Sequence, residues 1–144
     1  MTYTKEMLEA APARVPLSTA DVAAAIDACL TCLQTCTSCA NADLAEPEID
    51  ELRTCIALCL SCAEVCDVTA RFLSRPAHWE PFIVHRLLQA CVRSCADSAA
   101  ECAKHANHHR HCAICEKACR ECERACEVLL DDETFEELQK LVGA

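Results

Sequence analysis

The chain has 144 residues with 16 cysteines, one glycine and 3% aromatic residues, so it can form one domain with a real core and needs no disulfides for stability. This composition is typical of a nearly all-helical protein. The net charge of −10 argues against binding nucleic acid or an anionic membrane, because basic patches supply the affinity in both cases.

The N-terminal extension, residues 1–17, contains a short predicted helix around Lys5 to Ala11. Its first residues have no continuous apolar stretch, because Glu6, Glu9 and Pro12 interrupt them. We therefore expect neither a signal peptide nor a membrane span. The expected location is cytoplasmic, where thiols stay reduced.

Four helices are predicted between residues 18 and 130. Ser18 or Thr19 can cap the first helix, and Pro47 suits the first turn of the second. The connections are short, which predicts antiparallel neighbours and an all-α antiparallel four-helix bundle with a cysteine-lined core. The predicted helices are 19–43, 47–74, 82–107 and 111–130, followed by a short helical tail at 131–144, all within a single domain 1–144.

Each predicted helix carries cysteines at alternating steps of three and four residues, the spacing of one buried helix face. We call this row of inward-facing positions the seam of a helix. In the seam of the third predicted helix, Ser98 stands where the spacing predicts a further thiol. Packing alone does not explain the pattern, because leucine fills a core better, and neighbours along one helix are poorly placed for disulfides. The cysteines are Cys29, Cys32, Cys36, Cys39, Cys55, Cys59, Cys62, Cys66, Cys91, Cys95, Cys102, Cys112, Cys115, Cys119, Cys122 and Cys126.

Ladders of thiols with this spacing can hold metal ions between neighbouring sulfurs. Cu(I) is favoured because soft thiolates select it, and because one monovalent ion for each thiol proton keeps the core neutral. Zinc in four thiolates would leave two negative charges at each site. A zinc or iron–sulfur protein stays open as an alternative, as does a thiol redox enzyme, although redox CxxC pairs lie at helix N-termini. No enzyme activity is expected, since no nucleophile–base pair stands apart from the ladders.

The four cysteine blocks resemble those of the copper storage proteins, which are four-helix bundles that load many Cu(I) ions onto inward-pointing cysteines. The resemblance implies a cytosolic protein that stores and sequesters multiple Cu(I) ions per chain. It also implies a homotetramer. Copper chaperones or copper-requiring enzymes are the expected partners of such a store. The chain departs from the pattern at Ser98. The blocks are CLTCLQTCTSC, CIALCLSCAEVC, CVRSCADSAAEC and CAICEKACRECERAC.

Histidines gather at one predicted end of the bundle, where antiparallel packing also brings Asp43. His105 and His109 continue the third seam and are the preferred histidine candidates for binding metal. His111 precedes Cys112 near the mouth, and Asp43 can assist. A solvated helix end is the alternative interpretation of this cluster. The opposite end is predicted to be closed by aliphatic seam residues: Val22, Leu73, Leu88 and Leu129.

Overall fold

The computed structural model describes residues 2–141, so Met1 and the last three residues of the predicted tail, 142–144, lie outside the described part. Within it, six α-helices and two short 3-10 helices follow one another. The α-helices are α1 (Thr4–Ala10), α2 (Thr19–Ala45), α3 (Arg53–Leu73), α4 (Pro81–His105), α5 (Arg110–Leu130) and α6 (Glu133–Leu141); the 3-10 helices are Ile49–Leu52 and Pro76–His78.

The four long helices, α2 to α5, form an antiparallel bundle. Helix α2 packs against α3 and α5, and α4 packs against the same two helices, so the four surround one axis. The seam residues of all four helices face this axis and form the core. The predicted all-α four-helix bundle is therefore confirmed, with a core that is mainly sulfur.

At two of the four long helices, the side chain of the residue before the helix caps its N-terminus. The Ser18 hydroxyl accepts a hydrogen bond from the Asp21 backbone N–H at 3.3 Å, as expected for a capping residue. At α4, the Glu80 carboxylate accepts from the backbone N–H groups of Phe82 at 3.3 Å and Ile83 at 2.9 Å, directly before Pro81 in the first turn.

Two of the differences between predicted and observed helix boundaries affect the histidine end of the bundle. Pro47 lies in a turn and not in the first turn of α3, because residues Ile49–Leu52 wind as a tighter 3-10 helix that carries Leu52 into the core. The third predicted helix runs to residue 107, whereas α4 ends at His105. The chain turns after His105, so the seam of α4 does not continue to His109.

The end of the bundle away from the histidines is closed by apolar side chains, as predicted. Val22, Leu73, Leu88 and Leu129 are each at most 1% exposed. Helix α6 adds Phe135, also 1% exposed. Burying such a side chain stabilises the fold by about 1.5–3 kcal/mol, so this distal plug stabilises the bundle without using metal.

Among the described helices, α2 is the one whose length and apolar composition would allow it to cross a membrane. In this fold α2 packs against α1, α3 and α5. Its four cysteines are buried in the bundle core. Helix α2 is therefore a core helix of the bundle in this fold.

Candidate metal centre

Every cysteine of the chain is a free thiol and at most 1% exposed. Their sulfurs come from all four long helices and meet along the bundle axis. The helical spacing explains this arrangement, since steps of three and four residues keep successive side chains on one face. The thiol-lined core predicted from the sequence is confirmed.

Near the distal plug, the sulfurs of different helices lie within van der Waals contact. The Cys29 sulfur is 3.9 Å from that of Cys91 and 3.7 Å from that of Cys122. The Cys66 sulfur is 3.9 Å from those of Cys91 and Cys122. Thiols from α2, α3, α4 and α5 thus face one another at this level.

Towards the histidine end, the same pattern continues. The Cys36 sulfur is 3.6 Å from that of Cys115 on α5. The Cys59 sulfur is 3.8 Å from those of Cys102 and Cys115, which joins α3 to α4 and α5. The column of sulfur therefore runs through the bundle and ends next to the histidines.

Many of these sulfurs belong to more than one potential metal site. Cys66 and Cys122, for example, appear in two different sets of four cysteines. Two sulfurs bound to one metal at about 2.3 Å are roughly 4 Å apart, so the observed contacts need little adjustment. Within each set the sulfurs lie within 4.8 Å of one another, and these sets include Cys29–Cys66–Cys91–Cys122, Cys32–Cys66–Cys95–Cys122, Cys32–Cys36–Cys62–Cys119 and Cys39–Cys59–Cys102–Cys115.

The overlap between the four-cysteine sets and the burial of their sulfurs together favour a soft monovalent ion. Sites that share sulfurs cannot each be a separate four-thiolate zinc centre, whereas bridging thiolates can hold many ions along one column. The distances alone suit either metal. Charge separates the two, because Cu(I) in place of each thiol proton leaves the dry core neutral and tetrathiolate zinc does not.

Contacts between thiols lower the pKa of some thiols and raise the pKa of others. Hydrogen bonding with Cys126 and Cys29 lowers the pKa of the Cys122 thiol. Hydrogen bonding with Cys122 and Cys29, together with burial, raises the pKa of the Cys66 thiol. A thiolate surrounded by S–H donors is stabilised, while its neighbours then ionise beside an anion. The network therefore loses its first protons more easily than its last.

A mixed set of side chains that can bind metal closes the column at the histidine end. The His111 Nδ1 atom lies 3.5 Å from the Cys39 sulfur, 3.6 Å from the Cys112 sulfur and 3.5 Å from Asp43 Oδ1. Asp43 is fully buried. We call these four residues the mouth site. Burial and the nearby Asp43 carboxylate raise the pKa of the Cys112 thiol to about 12, so this thiol is protonated at neutral pH.

Two acidic side chains lie next to the histidines around the mouth site. Glu46 Oε1 is 3.3 Å from His111 Nε2, and Glu46 Oε2 is 3.5 Å from His109 Nδ1. The Glu101 carboxylate lies 3.9 Å from His105 Nε2. Each imidazole therefore has a carboxylate neighbour, the usual arrangement behind metal-binding histidines.

Two buried polar atoms at this end have no hydrogen-bond partner among the described residues. They are Asp43 Oδ2 and His105 Nε2. An unsatisfied buried oxygen or nitrogen costs about 1–3 kcal/mol. Both atoms are ordinary metal ligands, so a cation at this end would satisfy them.

The structure changes the order of the predicted histidine candidates. His111 contacts the thiols of Cys39 and Cys112. His109 lies directly before α5, and its Nδ1 atom faces Glu46 at 3.5 Å. Asp43 lies in the mouth site, as anticipated. Glu46 was missed by the sequence analysis, although it follows Asp43 by only three residues and lies directly after the end of α2.

The comparisons with known proteins agree with this chemistry. A family model described as copper storage protein matches residues 18–131. The cysteine-rich protein YhjQ of Bacillus subtilis (strain 168), itself uncharacterized, is 32% identical over 95 residues, which is 66% of this chain and 82% of that protein.

Solved structures of a Streptomyces lividans protein are similar over most of the chain. The copper storage protein Ccsp, loaded with 10 copper equivalents, is 41% identical with a TM-score of 0.86, covering 88% of this chain and 97% of that chain. A second structure, of a cytosolic copper storage protein of the same organism with five coppers, is 44% identical with a TM-score of 0.77, covering 78% of this chain and 94% of that chain.

Proposed function

The chain belongs to the copper storage protein family, and from this premise we propose that it stores Cu(I) on the thiols inside its bundle. It binds many ions per chain, keeps them out of reach of other cellular ligands and acts in the cytosol as a store, with no enzyme activity. The observation that carries this function is the continuous column of sixteen buried, free thiols contributed by all four helices.

Uptake is an exchange of protons for copper. Each thiol that binds gives up its S–H proton and forms a copper–sulfur bond, so one positive charge leaves the core for each one that enters. This balance avoids the cost of several kcal/mol for each uncompensated buried ion. Because neighbouring sulfurs lie about 4 Å apart, one ion can be shared between thiols of the same or facing helices.

Copper reaches the column through the mouth site. It is the point where imidazole, carboxylate and thiol donors meet, and the histidines around it remain partly accessible, His111 at 24% and His105 at 17% side-chain exposure. The distal end is closed by aliphatic side chains. His111, Asp43, Cys39 and Cys112 form the first ligand set, and His105 and His109 flank it.

A homotetramer and exchange with copper chaperones or copper-requiring enzymes are further parts of this proposal. Large apolar side chains remain exposed on the outer faces of the helices, and association between copies would bury them. Size-exclusion chromatography with light-scattering detection tests whether the protein is a tetramer. These side chains include Leu30 at 39%, Leu44 at 57%, Leu60 at 46% and Ile114 at 51% exposure.

An anaerobic titration of the reduced, metal-free protein with Cu(I) in competition with a chromophoric chelator tests the storage function. Saturation is expected near one ion per thiol, on the order of 16 per chain. Replacing Cys62 and Cys95, whose sulfurs are 3.7 Å apart in the core, by serine should lower the capacity by about two ions. Saturation of the parent at about four ions would favour tetrahedral zinc-type sites and contradict storage of Cu(I).

A further inference from the structure

A groove opens on the outside of the bundle between α2 and α5, beside the mouth site, and we call it the α2–α5 groove. Its volume is about 300 Å³, which lies within the size range of small-molecule sites. The α2 wall is mostly polar, with Gln34, Thr35 and Ser38 next to Ala42, and Ile114 of α5 forms the opposite, apolar wall. The groove therefore has the mixed lining that a small polar ligand needs.

Two donors of the mouth site line the deepest part of this groove. Cys39 and His111 both contribute to the lining, and the Cys39 sulfur lies 3.5 Å from His111 Nδ1. Cys39 is only 1% exposed, so a ligand has to enter the groove to reach its sulfur. Four further cavities lie elsewhere on the described part of the chain, and none of those four is lined by a cysteine. The groove thus connects solvent with a thiol of the metal centre.

Positive charge flanks the α2–α5 groove, although the chain has a net charge of −10. Helix α2 carries no charged residue between Asp27 and Asp43. On α5, Arg110 and Lys117 lie four residues before and three residues after Ile114, so the three share one helix face. Both cations are exposed, and within the described part of the chain neither forms an ion pair with a carboxylate. This face is therefore complementary to an anionic ligand.

We propose that the α2–α5 groove binds a low-molecular-weight thiol that bears carboxylates and delivers Cu(I) as its thiolate complex. This inference rests on the proposed storage function. The carboxylates of the carrier lie beside Arg110 and Lys117, and its copper-bound sulfur faces Cys39. Transfer is a ligand exchange in which copper stays Cu(I): a bond forms between copper and the Cys39 sulfur, the bond between copper and the carrier sulfur breaks, and the Cys39 proton passes to the departing thiolate. During exchange both sulfurs bind one ion at about 2.3 Å, so they must come within roughly 4 Å of each other.

Filling the groove with a larger side chain tests whether the carrier uses it. Ile114 and Val128 are each 51% exposed on α5, but of the two only Ile114 lines the groove. Anaerobic transfer of Cu(I) from its glutathione complex is followed by stopped-flow absorbance for the parent, Ile114→Trp and Val128→Trp. We expect transfer to be roughly 10- to 100-fold slower in Ile114→Trp, because a displaced carrier loses its reaction geometry. Val128→Trp should transfer at the parent rate, and all three proteins should reach the same capacity.

A second pair of variants tests the recognition of carboxylates. Lys117→Gln removes one positive charge beside the groove, and Lys5→Gln removes the same charge from α1, at a residue outside the groove whose side chain is 64% exposed. Each protein is loaded from Cu(I)–glutathione, whose carrier has carboxylates, and from Cu(I)–2-mercaptoethanol, whose carrier has none. We expect Lys117→Gln to slow transfer from glutathione by roughly two- to fivefold, the range of an exposed ion pair, and to leave transfer from 2-mercaptoethanol unchanged. Lys5→Gln should affect neither carrier.

Other outcomes overturn the proposal. A parent-like rate in Ile114→Trp, or equal slowing in Val128→Trp, would show that the carrier does not use the groove. An equal response of both carriers to Lys117→Gln would refute the recognition of carboxylates. Either result, in a parent that still loads about 16 ions, leaves copper storage intact, whereas a parent that saturates at about four ions would refute the storage function itself. Circular dichroism checks that the variants remain helical, and the lysine pair tests the groove even where the tryptophan variant does not fold.

Discussion

Glu46→Ala should slow copper uptake while leaving the stored amount nearly unchanged. Glu46 lies outside the thiol column, 3.3 Å from His111 Nε2 and 3.5 Å from His109 Nδ1. When the carboxylate accepts the Nε2 proton of His111, the Nδ1 lone pair faces Cys39 and Cys112. Without the carboxylate, the ring is free to rotate or to change tautomer, so fewer encounters place copper on the mouth site.

The size of the effect follows from the hydrogen bond between Glu46 and His111. A hydrogen bond contributes about 0.5–1.5 kcal/mol net, which is roughly 2- to 13-fold in rate. The Glu46 side chain is 29% exposed, and solvent screening places the expected slowing near the lower end, about threefold. The capacity should fall by no more than about one ion, because the thiols remain.

The assay is anaerobic transfer of Cu(I) from a chromophoric chelator, compared among the parent and three variants. Glu46→Gln should load nearly as fast as the parent, since its amide oxygen still accepts the hydrogen bond. Glu48→Ala removes the same charge from an exposed position two residues away and should have little effect. Parent-like rates in Glu46→Ala would refute the positioning role, and equal slowing in Glu48→Ala would assign the effect to overall charge.

Three further predictions concern the apo protein and its protons. Cu(I) loading in weakly buffered solution should release about one proton per ion, measured by pH-stat, whereas a value far below one would mean that the thiols are already ionised. Leu88→Ala, in the fully buried distal plug, should lower the free energy of unfolding by about 2–5 kcal/mol in urea titrations, whereas Leu60→Ala, at 46% exposure, should change it far less. The pKa of Cys112 is raised from 9.0 to about 12, so the folded state holds this proton more tightly than the unfolded state. Its contribution to the free energy of unfolding is therefore complete below pH 9 and is lost as the pH rises towards 12. The melting temperature of the reduced apo protein should fall over that interval, and less steeply in Cys112→Ala; parallel curves for the two proteins would contradict this assignment.

The core could be predicted from the sequence because one periodic signal determined it. Steps of three and four residues place successive cysteines on one helix face, and short connections force neighbouring helices to be antiparallel. This was enough to pair Asp43 with the histidines and to place Leu129 at the opposite end. It was also enough to show that Ser98 interrupts a ladder.

The mouth could be predicted only in part, because the periodic signal ends where the helices end. His109 fits the α4 seam by spacing, but α4 stops at His105 and the turn redirects His109 towards Glu46. His111 belongs to the first turn of α5, where its direction depends on how that helix starts. The turn at Pro47 likewise follows tertiary packing of Leu52 rather than the preference of proline for helix starts.

The most direct test of copper storage in the thiol column is the position of copper in crystals of the loaded protein. Anomalous difference density at the copper absorption edge should lie along the bundle axis, between sulfurs of α2 to α5, with about two or three sulfurs within roughly 2.3 Å of each ion. The mouth site should hold copper beside His111 Nδ1. Copper confined to surface histidines and carboxylates, with the sixteen thiols still unbound, would contradict the proposed function.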